Sequence, residues 1–431
     1  MKRMRSSDSH ASTKKLGRVA ATTLTATFLL GILLLPISTI VPFANAATPA
    51  PPPTYDLPKV RYTLTWLQGG TGWANLFPRT MNNWGDVAGG ATDSTPTYSG
   101  FSTAFAYNAT TQTTLNLNLL NIPWLDLNAG SQNSALQSPG TWFAMDSYEI
   151  NDAGDIVGIA GNVLDANLIR AFILQNAFND PLSTHPRRFL LLPEIAPVNS
   201  YGTGINNHGE VAVVAYGQWL ARYMPRGDGS WPLYDSWLQT AVPSNISDGG
   251  RINDDGTIIC VQTGRTPTSF RQTFSQALAG TSPDLFPGYR LWGISNWGIS
   301  GSRVASGNLK GGIIRLPVTT NVVELVSSKG IYSRDINDQG VLVFESNGRG
   351  FVSYDVINPT TGKKYGLNGD GVLPLDKLVE NQDAVWLNSS EIRVASINDM
   401  GPSVGHSGLG QIAGVARYPN RCFLLIPKII P

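Results

Sequence analysis

The chain has 431 residues, only 14% of them charged, with 45 Gly and 28 Pro, a balance that suits a large core cut into short strands and turns. The formal charge of +1 hides an uneven split. Residues 1–46 hold six Lys/Arg and one Asp, leaving 25 basic against 29 acidic residues, a net of −4, which excludes the basic footprint of a nucleic-acid binder.

In chain order, Lys2, Arg3, Arg5, Lys14, Lys15 and Arg18 precede an apolar run from 19 to about 41, followed by Ala44-Asn45-Ala46. A basic start, an apolar middle and a small-x-small site predict a secretory signal peptide over 1–46. The run is long enough for an uncleaved anchor, but Pro36, Pro42 and several Thr weaken a spanning helix. No membrane attachment is expected after cleavage. Residues 47–56, with Pro49 and Pro51 to Pro53, form a short semi-rigid tether.

From 60 to 67 runs a predicted strand with no turn in front of it. One five-residue phrase then returns seven times, at 81–85, 150–154, 205–209, 252–256, 294–298, 336–340 and 397–401. It is clearest in Ile150-Asn151-Asp152-Ala153-Gly154. The apolar residue ends a strand, Asn bonds back to the chain, and Gly supplies the left-handed closing conformation of a bulged hairpin. Third strands are expected at 103–107, 170–174, 219–223, 312–316 and 351–354, and fourth strands at 114–117, 322–325 and 363–365. The fourth repeat fits least well, with 270–274 as its third strand.

The turn glycines are separated by 69, 55, 47, 42, 42 and 61 residues, so the basic period is near forty, that of a propeller blade. The seventh repeat has strands at 411–415 and 422–426 and then lacks a fourth, which the orphan at 60–67 can supply. The predicted fold is all-β: a seven-bladed β-propeller over 57–431, closed by pairing of the N-terminal strand with the last blade, which removes open sheet edges. Cys260 and Cys422 fall in the fourth and seventh repeats, too far apart to pair, and are expected as buried thiols.

The turn phrase followed by an apolar strand and Ala-Phe resembles the HAF family of extracellular repeat proteins. That family couples an Ile-Asn-x-x-Gly-x-Val-Val-Gly element to a later His-Ala-Phe triplet. Residues 150–158 match the first element, and Ala104-Phe105 and Ala171-Phe172 match the end of the triplet, though Thr103 and Arg170 replace its His. The resemblance implies an exported, propeller-like repeat protein and carries no catalytic residues.

Motif by motif, chemistry is sparse. Gly401-Pro402-Ser403-Val404-Gly405, with His406 after it, lacks the strand-to-helix setting of a nucleophile elbow. The stretch 366–371 resembles half a calcium loop, but Gly366 and Lys377 replace the first and last ligands. Arg226-Gly227-Asp228 reads as a hairpin turn. Asn108, Asn245 and Asn388 head glycosylation sequons. His185, His208 and His406 have no ligand spacing. No catalytic residue, cofactor or metal is therefore assigned.

One slot varies while its neighbours repeat, the residue before each turn glycine: Trp84, Ala153, His208, Asp255, Trp297, Gln339 and Met400. If each hairpin joins the two inner strands of a blade, these slots circle one mouth of the channel. Trp84, His208, Asp255, Trp297, Gln339 and Met400 then form a rim suited to a glycan or protein. The expected function is a secreted, non-enzymatic binding or surface-interaction module. The alternative is a glycoside hydrolase or lyase with its acid and base in the channel. Facing carboxylates in the channel would favour the enzyme, and an apolar or hydroxyl lining the binder.

Overall fold

The computed structural model describes residues 54–430, apart from 70–72, 94–101, 139, 195–198, 216–218, 240–245, 263–266, 306–307, 316–321, 325–330, 354–357, 400–409 and 418–419. The expected signal segment and residues 47–53 lie outside them, as do the motif at 401–406, Met400 and Asn245.

The repeated phrase folds as its chemistry requires. Gly85, Gly154, Gly209, Gly256 and Gly340 all have φ between 70° and 86°, and each donates its N–H to the carbonyl of the phrase's Asn. The Asn side chain closes the same turn, its Oδ1 accepting from the N–H of Asp86, Asp155, Glu210, Thr257 and Val341 in turn. The fifth copy is tighter: Ser295 replaces Asn, and its N–H bonds Gly298 directly.

Each phrase joins the first two strands of a sheet. Among the described residues the strands form seven sheets, six of four strands and one of six. Their first strands are Trp73–Met81, Trp142–Ile150, Ser200–Ile205, Ile246–Ile252, Tyr289–Ile294, Ile331–Ile336 and Glu391–Ile397. Each touches the next in this order, and the last returns to the first, so they line a closed axial channel. The chain is an all-β propeller. The strand Val60–Trp66 pairs antiparallel with Arg421–Ile429, with Thr63 opposite Ile426 and Trp66 opposite Phe423, completing the last sheet as expected.

The core lies between successive sheets. The Phe of the Ala-Phe pairs, Phe105 and Phe172, and Phe423 after Cys422 are fully buried on the third strand. A Cβ on Gly158 would stand 2.9 Å from the Phe172 ring and 2.1 Å from the carbonyl of Asp146; Gly89 and Gly414 face Phe105 and Phe423 in the same way. Gly158→Ala is therefore expected to destabilise the fold by roughly 1–3 kcal/mol. A urea midpoint unchanged from wild type would refute that reading of the contact.

Three expectations need correction. Seven like blades of four strands are not found: six have that form, and the second repeat's sheet is enlarged by Trp124–Asp126 and Leu136–Gln137. The long first spacing thus supplies strands as well as loop. Trp124–Asp126 lies parallel to Arg188–Leu191, Trp124 stacks on Phe189 at 4.1 Å, and Asp126 accepts both terminal nitrogens of Arg170. In the sixth repeat the fourth strand is Val372–Pro374 rather than 363–365. Leu373 is fully buried there, whereas Lys363 and Lys364 are exposed, and Gly366 is tied off to Asp56. In the fourth repeat the third strand is Thr268–Gln272, and Phe274 begins a short helix capped by Thr273 and Gln276. Both cysteines are free and buried, as expected.

Candidate functional site

At the turn-bearing mouth, neighbouring repeats are stitched together by the phrase itself. The Asn that closes each hairpin also donates through Nδ2 to its counterpart's carbonyl in the next repeat. Asn82 reaches Asn151, Asn151 reaches Asn206, Asn206 reaches Asn253, and Asn253 reaches Ser295, at 3.0–3.2 Å. At two of the three remaining junctions Asn337 reaches Asn398 and Asn398 reaches Asn82, while Ser295 has no side-chain amide to offer Asn337.

The third residue of the phrase forms a second, complete belt. Each backbone N–H in the series Asn83, Asp152, Asn207, Asp254, Asn296, Asp338, Asp399 bonds the side-chain oxygen of the next member, and Asp399 closes onto Asn83 at 2.8 Å. Where Asn precedes Asp, the amide also donates to the carboxylate, as from Asn83, Asn207 and Asn296. Amide and acid alternate around this belt, but seven is odd. One like pair is unavoidable, and it is Asp338 beside Asp399. Burial first, and the neighbouring Asp338 next, push the Asp399 carboxyl up to about 7.

Behind the belt the bore narrows at the residues two places before the turn Asn: Thr80, Glu149, Gly204, Arg251, Gly293, Asp335 and Ser396. Arg251 donates to both oxygens of Glu149 at 2.9 and 2.8 Å, and Thr80 donates to Glu149 at 2.5 Å. Asp335 accepts from Ser396 at 2.6 Å and from the N–H groups of Ile336 and Ile397. Gly293 leaves room for this layer, since a Cβ there would meet Asp335 at 2.5 Å. Burial holds Glu149 and Asp335 above the usual carboxylate range despite Arg251. Burial lowers the Arg251 guanidinium, but Glu149 and Asp335 outweigh it and keep it above its ordinary value. Belt and charged layer enclose a cavity of about 120 Å³.

On the far side of that layer the channel widens into a funnel of about 340 Å³. Its wall is built by an irregularity shared by all seven inner strands, a break in register just before the charged layer. A bulge of this kind re-aims one side chain. The residue concerned lies three places before the turn Asn: Arg79, Tyr148, Thr203, Gly250, Trp292, Arg334 and Ala395. All but Gly250 line the funnel, joined by Arg251, Arg393 and Arg417. Five arginines face this space, and among the described residues no carboxylate lines it. Their partners stand behind them: Asp146 for Arg79, Glu149 for Arg251, Glu345 for Arg334, and Glu391 for both Arg393 and Arg417.

The sequence-derived rim is placed at the opposite, turn-bearing mouth. Ala153, His208, Asp255 and Gln339 are exposed there, and Trp84 is 68% exposed, but none of them lines the axial cavity. The Trp84 indole donates to the Asp152 carbonyl at 3.0 Å, and the Trp297 ring lies over Gly340 of the next turn. Both tryptophans cover the neighbouring hairpin instead of converging. Aligning the repeats on the turn Asn would have exposed the missed signal, two unlike positions in front of a nearly constant Ile-Asn. Arg226-Gly227-Asp228 occupies a hairpin turn in which Asp228 accepts from Ser230, and Asp370 in the calcium-like stretch accepts from Val372.

No protein-family model matches this chain, and no curated protein matches it. Among solved structures it is similar to a streptogramin B lyase, with TM-score 0.48 and 10% identity over 85% of this chain and 98% of that one. It is also similar to virginiamycin B lyase from Staphylococcus aureus, with TM-score 0.43 and 11% identity over 85% and 99%. A third likeness is to the β-propeller domain of the Trilobed protease from Pyrococcus furiosus, with TM-score 0.45 and 10% identity over 86% and 98%.

Proposed function

We propose that the chain is an exported, non-enzymatic binding propeller that holds its ligand in the bulge-built funnel. Export is supported by the basic, apolar and small-x-small succession of residues 1–46. We count the enlarged sheet as the seventh blade, because Asp152 bonds it into the same closed belt as the other six.

The observation that carries the binding reading is the contrast between a repeated frame and an unrepeated lining. Turn, belt and core recur, while the re-aimed position changes from Arg to Tyr, Thr, Gly, Trp and Ala around the axis. Such asymmetry gives one ligand one orientation. The channel departs from the lining expected of a binder, being charged where apolar and hydroxyl groups were expected, and Glu149 and Asp335 share one layer of it, the feature expected of an enzyme. Its carboxylates favour binding over glycosidase chemistry, because Glu149 and Asp335 are engaged by internal donors and line the belt-side cavity rather than the funnel.

Glycan and peptide arrays probed with the purified protein identify a ligand. For it, Trp292→Ala is expected to weaken binding tenfold or more, a loss of about 1.4 kcal/mol, while Trp84→Ala leaves it unchanged. The reverse pattern would move the ligand to the turn-side rim. Release of a cleaved product from a bound glycan would replace the binder by the carbohydrate-active enzyme.

A further inference from the structure

We infer that the funnel takes a small oligocarboxylate, a ligand with two or more acid groups spread over several ångströms. This deepens the reading above and rests on the funnel being the ligand site.

The charge layout points to this class. The body outside residues 1–46 carries a net −4, yet five guanidinium groups face one concave space whose lining, among the described residues, contains no acid. A cleft lined by one sign of charge concentrates ligands of the other. Arg393 and Arg417 share a single carboxylate, Glu391, at 2.8 and 3.6 Å, so this side of the wall has two cations to one anion. The planar guanidinium fork matches carboxylate oxygens in pairs, which an ammonium group does not.

The cations are also held in place. Arg79 lies over the Tyr148 ring at 5.4 Å, and Arg334 over Trp292 at 5.8 Å and Tyr332 at 5.9 Å. Stacking of this kind limits the rotamer freedom that binding would otherwise have to remove. Donor capacity remains at the wall: Trp292 Nε1 and Arg334 Nε are buried without an acceptor among the described residues. Size bounds the ligand. About 340 Å³ lies near the lower end of small-molecule sites, roughly 300–1,000 Å³, and so suits two or three residues of an oligomer rather than a polymer.

Two sources share this chemistry, an acidic sugar and an acidic peptide, and calorimetry on the full protein separates them. The probes are trigalacturonate, triglutamate and the neutral trisaccharide maltotriose. Arg393→Gln and Arg417→Gln are the test variants. Both side chains are about one-third exposed, at 34% and 33%, so neither replacement strands a deeply buried charge. Expected is binding of one oligocarboxylate, weakened severalfold between low and physiological salt and at least tenfold by the double variant, whose melting temperature stays near wild type. Which acid binds names the source. Maltotriose bound as well as either acid, and lost in Trp292→Ala, would overturn the oligocarboxylate while leaving the funnel as the site. Neither acid binding below millimolar concentration would overturn the inference outright. Binding lost in Trp84→Ala alone would instead overturn the choice of mouth.

Discussion

Replacing Asp399 by Asn is expected to stabilise the protein at pH 8 and to leave it almost unchanged near pH 4. The folded carboxyl is pushed from 3.8 up to about 7 by burial and by Asp338, so its proton is held more tightly folded than unfolded. The group's favourable contribution is whole below its unfolded value. It is lost as pH rises through the window between about 4 and 7, where only the unfolded chain ionises. The gap bounds the effect at roughly 4 kcal/mol. Asn keeps the side-chain oxygen that accepts the Asp338 N–H and turns the belt's one acidic pair into an acid beside an amide. The neutral junction then falls between residue 399 and Asn83. Urea unfolding at several pH values should show the variant's advantage growing from pH 4 and levelling above 7. A pH-independent offset would mean that Asp399 is not the titrating group.

Removal of Arg251 should be the most damaging single change in the channel. The side chain bonds both oxygens of Glu149 and raises the retention of charge on Asp335 across the same layer. Breaking a buried ion pair by deleting one partner costs about 3–5 kcal/mol, because the remaining charge stays desolvated. Arg251→Met is expected in that range at pH 8, and less at pH 5. Both acids already lie above the usual carboxylate range; without Arg251 they move further up and protonate more readily as pH falls. The double change Arg251→Met with Glu149→Gln should recover much of the loss, since neutral neighbours of similar volume carry a smaller desolvation cost. A single-variant loss below 1 kcal/mol, or no recovery in the double, would count against a structural ion pair.

The architecture was legible because the Asn-Gly phrase is a local signal with a local meaning. Turn after turn needs the same backbone, so the same residues recur, and the orphan strand at 60–67 told where the ring shuts. The inter-repeat role of Asn was not legible, because the second half of its bonding lies between hairpins some forty to seventy residues apart. The funnel was hidden for a different reason. A register break moves a side chain without changing strand composition, so Tyr148 and Trp292 read as ordinary alternating strand residues. The variable slot before each turn glycine stands out because the repeat is strongest there, whereas the funnel is lined by positions before the Asn.

Pairing Val60–Trp66 with Arg421–Ile429 also sets a timetable. Val60–Trp66 is made well before its partner Arg421–Ile429, and until that partner arrives the assembly is a split washer with two sticky ends. Contacts between strands so far apart in the chain form slowly, so closure of the ring is expected as a late step of folding. Once the two have met, Val60–Trp66 is the outer strand of its sheet, held along its length by Arg421–Ile429, and the ring is shut.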